Sequence, residues 1–511
     1  MIFLGGQNVL RNTLLLTASG VIAKTIDFMF RAYYTQKLGS EGMGIFSLVF
    51  AVHGIMLNVS SGGMGVAVSK IVSEHYARCN GGSIRRTMRI ALGLVAVLSF
   101  LVISMTYAFS EQIANDFLKE GRCQRSIVML SPSILFMGMS YCIKGYFYAS
   151  RKVLRPASSE FLEQLVKILS IRILLEKWLP YGVQYGCEAV ALGMSIGEAS
   201  SCLYLLLLYS ADSRHLSGCA ENGVRLGTAI ARTAFPVMTA SLASSFLRMQ
   251  EEVLIVSGLE KSGLSHGEAL SSYGTVYGMA MPLIVFPLSL LSSFLTLIVP
   301  EISRAKSMKS RVRLETLTSR IYRFATLSGF FIMSVYVTFA SELTLLVYDA
   351  PYLASKLLFL AFLSPLMLMD SISCGILNGL GKQSSLLRYS LMDSGLRLVL
   401  IAVLIPRFGT GALMGVIAAS NIFTFLLTGH KSIKESGISA ILKSVAAPCI
   451  SAAVCCFVVH NIFNMTVESV TNVTVSFGIV FAAVVYFAAA AVSGAMSRED
   501  SKWLIGRLMS S

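Results

Sequence analysis

Fourteen apolar runs of membrane-spanning length take up nearly all of this chain of 511 residues, and no segment between them is long enough to fold as a domain. A hydrocarbon core of about 30 Å is crossed by roughly 20 apolar residues in a helix. Runs of that kind lie near 12–36, 43–69, 87–109, 127–149, 157–178, 188–210, 231–258 and 270–299. Six more follow near 319–341, 355–379, 385–405, 411–430, 441–462 and 471–494. Backbone amides have no water to bond to in hydrocarbon, so such runs form helices. The expectation is an all-α polytopic membrane protein of 14 transmembrane helices.

Composition enters at one point. Lys and Arg number 42 against 27 Asp and Glu, a formal net charge of +15. In a soluble chain that excess would suggest nucleic acid; here only 14% of residues are charged and their placement gives another reason. If the connections are numbered alternately, the even set with both ends carries 27 basic residues and the odd set 8. Positive charge is retained on the cytoplasmic side, so both termini are expected in the cytoplasm of a protein of the cytoplasmic (inner) membrane. A miscounted span would have scrambled the alternation. The first apolar run is too long for a signal-peptide core and carries Lys24, Asp27 and Arg31, so it is expected to be a retained helix. The ten cysteines make no CxxC pair, and Cys142, Cys202, Cys374, Cys455 and Cys456 sit inside apolar runs as small hydrophobes; no metal or other cofactor is expected.

The chain also repeats itself at an offset of about 230 residues. The run from Gly145 to Lys152 followed by Phe161 to Ile168 is echoed by Gly375 to Lys382 followed by Leu391 to Leu398. Glu163 and Lys167 thereby match Asp393 and Arg397, Ser69 to Ile71 fall on Pro300 to Ile302, and Gly44 falls on Gly274. Six spans separate the copies, an even number, so the halves enter the membrane in the same sense and are related by an axis along its normal. The organisation expected is two pseudo-symmetric six-helix lobes, 1–220 with spans one to six and 221–432 with spans seven to twelve. Residues 433–511 add two helices and a cytoplasmic tail.

Seven basic residues remain inside the spans: Lys24, Arg31, Lys144, Lys167, Arg172, Arg248 and Arg397. Their acidic company is Asp27, Glu160, Glu163, Glu198, Glu251, Glu252, Asp370 and Asp393. A charge near the middle of a spanning helix costs at least about 2.5–3.5 kcal/mol unless it is paired or hydrated, which makes each a functional candidate. Lys24, Asp27 and Arg31 stand at i, i+3 and i+7, one face of the first helix. Arg248, Glu251 and Glu252 stand at i, i+3 and i+4 on the seventh, its partner in the repeat. Glu163/Lys167 and Asp393/Arg397 are i, i+4 pairs. Such stripes face water or one another rather than lipid, and they are expected to line a hydrated cavity and to bind substrate. The bland alternative is that the i, i+4 pairs neutralise themselves and serve only packing. Arg172, near a helix end, is expected to snorkel.

The stretch Tyr273 to Leu288 (YGTVYGMAMPLIVFPL), with Ile298 to Ala305 (IVPEISRA), resembles the stage V sporulation protein B family. Leu38 to Phe46 (LGSEGMGIF) and Ala67 to Glu74 (AVSKIVSE) carry the same resemblance. That family lies in the polysaccharide-exporter branch of the multidrug/oligosaccharidyl-lipid/polysaccharide (MOP) superfamily, beside the MurJ-type lipid II flippases. The resemblance implies two six-helix lobes, alternating access, and an undecaprenyl-diphosphate-linked saccharide, a peptidoglycan precursor such as lipid II, as cargo. It implies a transporter rather than an enzyme, with membrane lipids, a coupling ion and cell-wall synthesis enzymes as possible partners. In MurJ-type members arginines of the first, second and eighth helices meet the diphosphate. Arg31 and Lys24 match the first-helix cations, but the second and eighth spans hold no basic residue, and Arg248 is the substitute on offer. The alternative on the same fold is a cation-coupled multidrug exporter, which would use an uncompensated acid such as Asp27, Glu251, Glu252 or Asp370.

Overall fold

The computed structural model describes residues 4–218, 221–293, 295–308, 310–437, 441–466 and 471–495, and among these it holds helices and turns and no strand. Cys219, Lys309 and the basic tail residues Arg498, Lys502 and Arg507 lie outside the described residues. Ten helices are long and apolar enough to cross a membrane. Two of them are double spans. α1 (Leu4–Ser61) reverses at Gly39 with φ 68° and ψ −176°, and α15 (Gln383–Ser436) at Gly409 with φ 59° and ψ −136°. Both angles lie where a side chain is strained and glycine is not, and both fall in the connections read from the sequence. Two further helices, α6 (Leu154–Trp178, 25 residues) and α8 (Gly223–Lys261, 39 residues), are long enough but carry the charges that exclude them on hydropathy. Fourteen spans result among the described residues.

The chain packs as two compact units, one from Leu14 to Gly274 and one from Thr275 onward with the chain's start. The first unit holds α1 and α2 (Met64–Ala77), α3 (Gly81–Gln112), α4 (Cys123–Leu130) and α5 (Ser133–Ala149). It continues with α6, α7 (Val183–Ser213), α8 and α9 (His266–Tyr273). The seventh span therefore packs with the first six. A boundary between repeats at 220/221 and a boundary of packing at 274/275 are different quantities: a helix that leans on the preceding lobe moves the second without moving the first.

Small residues set the helix spacing in this unit. Three α7 glycines, Gly186, Gly193 and Gly197, leave no room for a Cβ against Leu38, Ile171 and Lys167 respectively. Close backbone approach through small residues is how helices gain dispersion energy where lipid removes the hydrophobic drive. Gly145 of α5 abuts the backbone of Gly65 in α2 in the same way. Around them Met88, Ile143, Tyr146 and Phe147 are fully buried. The tightest seam joins the turn of α1 beyond Gly39 to α9. A Cβ on Gly44 would collide with the carbonyl of Leu270, and one on Gly274 with the carbonyl of Ser40. Ser40 Oγ and Ser271 Oγ share a hydrogen bond of 2.7 Å beside it.

The second unit holds α10 (Met281–Ser293), α11 (Leu295–Ser307), α12 (Arg311–Thr338), α13 (Ala340–Tyr348), α14 (Ala354–Gly379), α15, α16 (Ile441–Thr466) and α17 (Asn472–Val492). α12 is its hub. Gly329 admits Pro365 of α14 against the helix backbone, and the Tyr322 hydroxyl lies 2.7 Å from Ser373 Oγ. On its other side α12 packs against the last two helices: Leu327, Val335 and Phe339 join Ala452, Cys455, Val459, Ala482 and Tyr486 in one apolar cluster. Tyr486 donates its hydroxyl proton to the Leu327 carbonyl at 2.8 Å, which satisfies a polar group deep in an apolar interface.

Candidate functional site

The charged face of α1 is built by helical spacing and opens away from the packed core. Lys24 and Asp27 are exposed, whereas Phe30 and Tyr34 are buried. Ile22 and Met29, on the opposite side of the same helix, are 51% and 67% exposed, the pattern of a helix with lipid on one face and an open space on the other. Arg31 is partly buried, and among the described residues its Nε makes no hydrogen bond. A buried guanidinium N–H is a donor in search of an acceptor, since leaving it unmade costs the desolvation of that group.

Asp27 is tied to α6. Lys167 Nζ donates to Asp27 Oδ1 at 2.6 Å, with the Lys167 side chain 12% exposed and that of Asp27 51%. The bland alternative had Lys167 neutralised by Glu163 one turn away; the structure gives it an ion-pair partner on another helix instead, 140 residues distant in the chain. Gly197 is the reason, because α7 sits close enough on Lys167 and Glu163 to steer the lysine stem toward α1. Behind this pair the network continues inward. Lys144 of α5 donates to Glu160 at 3.2 Å, Glu163 feels both Lys144 and Lys167, and the Glu163 and Glu198 carboxyls lie within hydrogen-bonding reach of each other. Asp27, Lys167, Glu163, Lys144, Glu160 and Glu198 thus form one mixed-charge chain across four helices. Arg172 is not part of it: it pairs with Glu176 at 3.4 Å where both side chains are about two-thirds exposed, a contact that contributes little.

The α8 stripe is divided. Arg248 is exposed, Glu251 is 6% exposed, and Glu252 accepts a hydrogen bond from the buried Tyr273 hydroxyl. Nearby, Asn58 Nδ2 of α1 donates to Ser245 Oγ at 2.8 Å, fixing α8 against the second span. Arg248 is therefore the cation of this stripe that points to open space, while the two acids turn toward the packing.

In the second unit Asp393 and Arg397 do pair within their helix, Arg397 Nε lying 3.3 Å from Asp393 Oδ2. Ser420 donates to the other Asp393 oxygen at 2.7 Å, and Thr428 donates to Asp370 at 2.6 Å. The Asp393 and Asp370 carboxylates are thereby given hydrogen-bond donors inside the helix packing.

Described residues that form helices and turns without a strand, with fourteen spans and intramembrane charge chains within the packed units, make a multi-pass membrane protein of the MOP fold. Solved structures agree on that fold. "Lipid II flippase MurJ, inward closed conformation" superposes with a TM-score of 0.71 over 94% of this chain and 98% of that one at 13% identity. An inward-facing multidrug-resistance MATE transporter of the MOP superfamily gives 0.62 over 82% and 96% at 14% identity. The chain belongs to the polysaccharide biosynthesis protein family, whose model matches residues 9–306. Stage V sporulation protein B of Bacillus subtilis (strain 168) is 24% identical over 463 residues, 88% of this chain and 89% of that protein. Lipid II flippase MurJ of the same strain is 21% identical over 171 residues, 32% of this chain and 31% of that protein.

Proposed function

We propose that this protein is a flippase that carries an undecaprenyl-diphosphate-linked saccharide, a peptidoglycan precursor in the first instance, across the cytoplasmic membrane by alternating access. Both termini are placed in the cytoplasm, following the distribution of loop charge. Arg31 carries the reading: it is a guanidinium inside a spanning helix, its Nε buried and unbonded among the described residues, on the open charged face with Lys24. A diphosphate offers paired oxygens to such a fork, and arginine holds its charge at any accessible pH. Arg248 supplies a second cation at open space, and Asp27 and Lys167 brace the α1 face against α6. Glu163, Glu251 and Glu252 take supporting places around this route, and Asp393 and Arg397 are candidate substrate contacts within their own unit. The similarity to a sporulation protein and to a lipid II flippase supports the cargo class, and sporulation-linked cell-wall synthesis is the setting it suggests.

The test is direct binding. Purified protein should retain lipid II in native mass spectrometry, and Arg31→Ala should lose it while staying folded and inserted. Retention of unrelated cationic drugs instead, abolished by Asp27→Asn and untouched by Arg31→Ala, would replace this reading with that of an exporter.

A further inference from the structure

Outside the membrane spans, on the side of the sparsely basic connections, five charged groups from three connections meet around one buried carboxylate. Glu120, between α3 and α4, is 4% exposed. It accepts from Arg122 Nε at 2.9 Å, from Arg122 Nη2 at 2.7 Å and from the Arg122 backbone N–H at 3.1 Å. Arg122 turns its third nitrogen, Nη1, to Glu41 at the outer turn of α1, 2.7 Å away. The last donor to Glu120 arrives from far along the chain: His266 Nε2, at the start of α9, lies 2.8 Å from Glu120 Oε2. The other imidazole nitrogen, Nδ1, is bonded to Glu260 at the end of α8.

No packing need explains this arrangement. A buried carboxylate is costly unless its oxygens are filled, and Arg122 alone would fill them in a bidentate fork. His266 adds a cross-link between the loop at 259–269 and the loop at 113–122. It does so beside the seam where Ser40 meets Ser271 and where Gly44 and Gly274 leave no room for side chains. The loop of 259–269 is anchored at its buried ends, Leu259 and Ala269, and open at its tip, where Gly263 has φ 103° and Lys261 and Ser265 are exposed.

We propose that His266, gripped between Glu120 and Glu260, is a proton-dependent latch that holds the connection between the seventh and eighth spans shut against the outer loops of spans one to four. This rests on the orientation proposed above, which puts the cluster on the extracytoplasmic side. The latch works because an imidazole flanked by two carboxylates must carry both protons to donate to both. The groups that face it are Glu120 and, through it, Arg122 and Glu41 from the packed loops; Glu260 from α8; and Glu268 from its own helix. The bonds to Glu260 and Glu120 hold the imidazole above the ordinary histidine range, against burial. Burial would raise the Glu120 carboxyl, but Arg122 and His266 outweigh it and hold it below the carboxylate range. Glu120 is thus held toward its charged form, and His266, raised from the ordinary imidazole value, is the group whose protonation makes the cross-link.

The sign follows. Closed, the latch raises the affinity of His266 for its proton, so its contribution is complete below the open-state value of about 6.5 and is lost as pH rises through the closed-state value. Each pH unit between those two values changes the open-to-closed ratio by about tenfold. An acidic cell-surface layer would keep the outer side shut, and alkaline conditions would release it.

The measurement is the distance between genetically encoded spin labels at positions 116 and 261, both exposed and both outside the cluster, in the full-length protein in nanodiscs. It needs no cargo, so it stands apart from the test of the flippase reading. At about pH 5.5 a single short distance is expected, and by about pH 9 a longer population at least tenfold more abundant. His266→Gln, which cannot be charged, should show the longer population at both pH values and lose the response. Glu120→Gln should do the same. A wild-type distribution identical at both pH values, or a pH response that survives in His266→Gln, overturns the latch.

Discussion

Ser40 and Ser271, 231 residues apart in the chain, share a hydrogen bond of 2.7 Å. The separation is the offset of the internal duplication, so these two serines are the same position in the two copies. Their neighbours obey the same exchange. Gly44 presses on the carbonyl of residue 270, and Gly274 presses on the carbonyl of residue 40. A contact in which i meets j and j meets i is what a two-fold axis produces, and the duplication read from the sequence would place such an axis within one chain.

That seam gives the first prediction. Cysteines at 40 and 271 should join spontaneously under mild oxidation. Adding Gly274→Val should abolish the link, because a branched side chain collides with the Ser40 carbonyl. Overpacking of this kind costs about 1–3 kcal/mol, and the melting temperature of the variant should fall. A link that forms equally well in Gly274→Val would mean that the seam is loose.

The Asp27–Lys167 ion pair gives the second. Asp27→Asn leaves Lys167, 12% exposed, without its counter-charge, and Lys167→Met leaves Asp27 in an open, hydrated position. Losing a hydrogen bond to a buried charge costs about 1.5–3 kcal/mol, so Asp27→Asn should destabilise more than Lys167→Met. The double variant should recover part of the loss. A thermal-denaturation cycle in detergent checks this, and strict additivity would show that the pair is not coupled.

At the other end of the first unit, Asp212 lies beyond its span and binds Lys152, Arg155 and the Tyr146 hydroxyl, with its side chain 7% exposed. Burial works to raise the carboxyl, but these bonds outweigh it and hold it below the ordinary range. Its contribution is therefore complete above the unfolded aspartate value of about 3.9 and is lost as pH falls through the lower folded value. Asp212→Asn should cost about 2 kcal/mol at neutral pH and should flatten the stability profile below about pH 4. A variant that keeps the steep acid limb would place the responsible carboxylate elsewhere.

Topology supplies the fourth. A cysteine at position 263 should react with an impermeant maleimide on intact cells, and one at 313 should react only after lysis. Reaction of both from one side would remove the orientation on which the latch depends.

The spans were legible, because hydropathy acts as a simple sum along the chain; the reversals at Gly39 and Gly409 were not read in advance, although a glycine in a short connection is where such angles fall. Nor was the partner of Lys167. Sequence spacing offers only residues on the same helix, whereas the choice of Asp27 depends on α7 being drawn in by Gly197. The Glu41–Arg122–Glu120–His266–Glu260 cluster was missed for a related reason: Arg122 was counted as one more loop charge. A signal did exist, since Glu41, Glu120 and Glu260 all fall in connections of the sparsely basic set. What no spacing could convey is that His266 and Arg122, from two separate loops, share the one carboxylate of Glu120, 146 residues before His266.

α8 runs unbroken for 39 residues, about 58 Å at 1.5 Å per residue, well beyond the hydrocarbon thickness. Pro236 sits near one end and Glu260 at the other, about 36 Å away along the axis. Proline removes a backbone hydrogen bond and leaves a point of easy bending. The helix is thus a lever with its fulcrum near Pro236 and Arg248, Glu251 and Glu252 part-way along the arm. A bend of only about 10° at Pro236 sweeps Glu260 through roughly 6 Å, twice the length of the bonds at His266. Small rearrangements of the arm near the charged face are therefore magnified into an all-or-none event at the far tip.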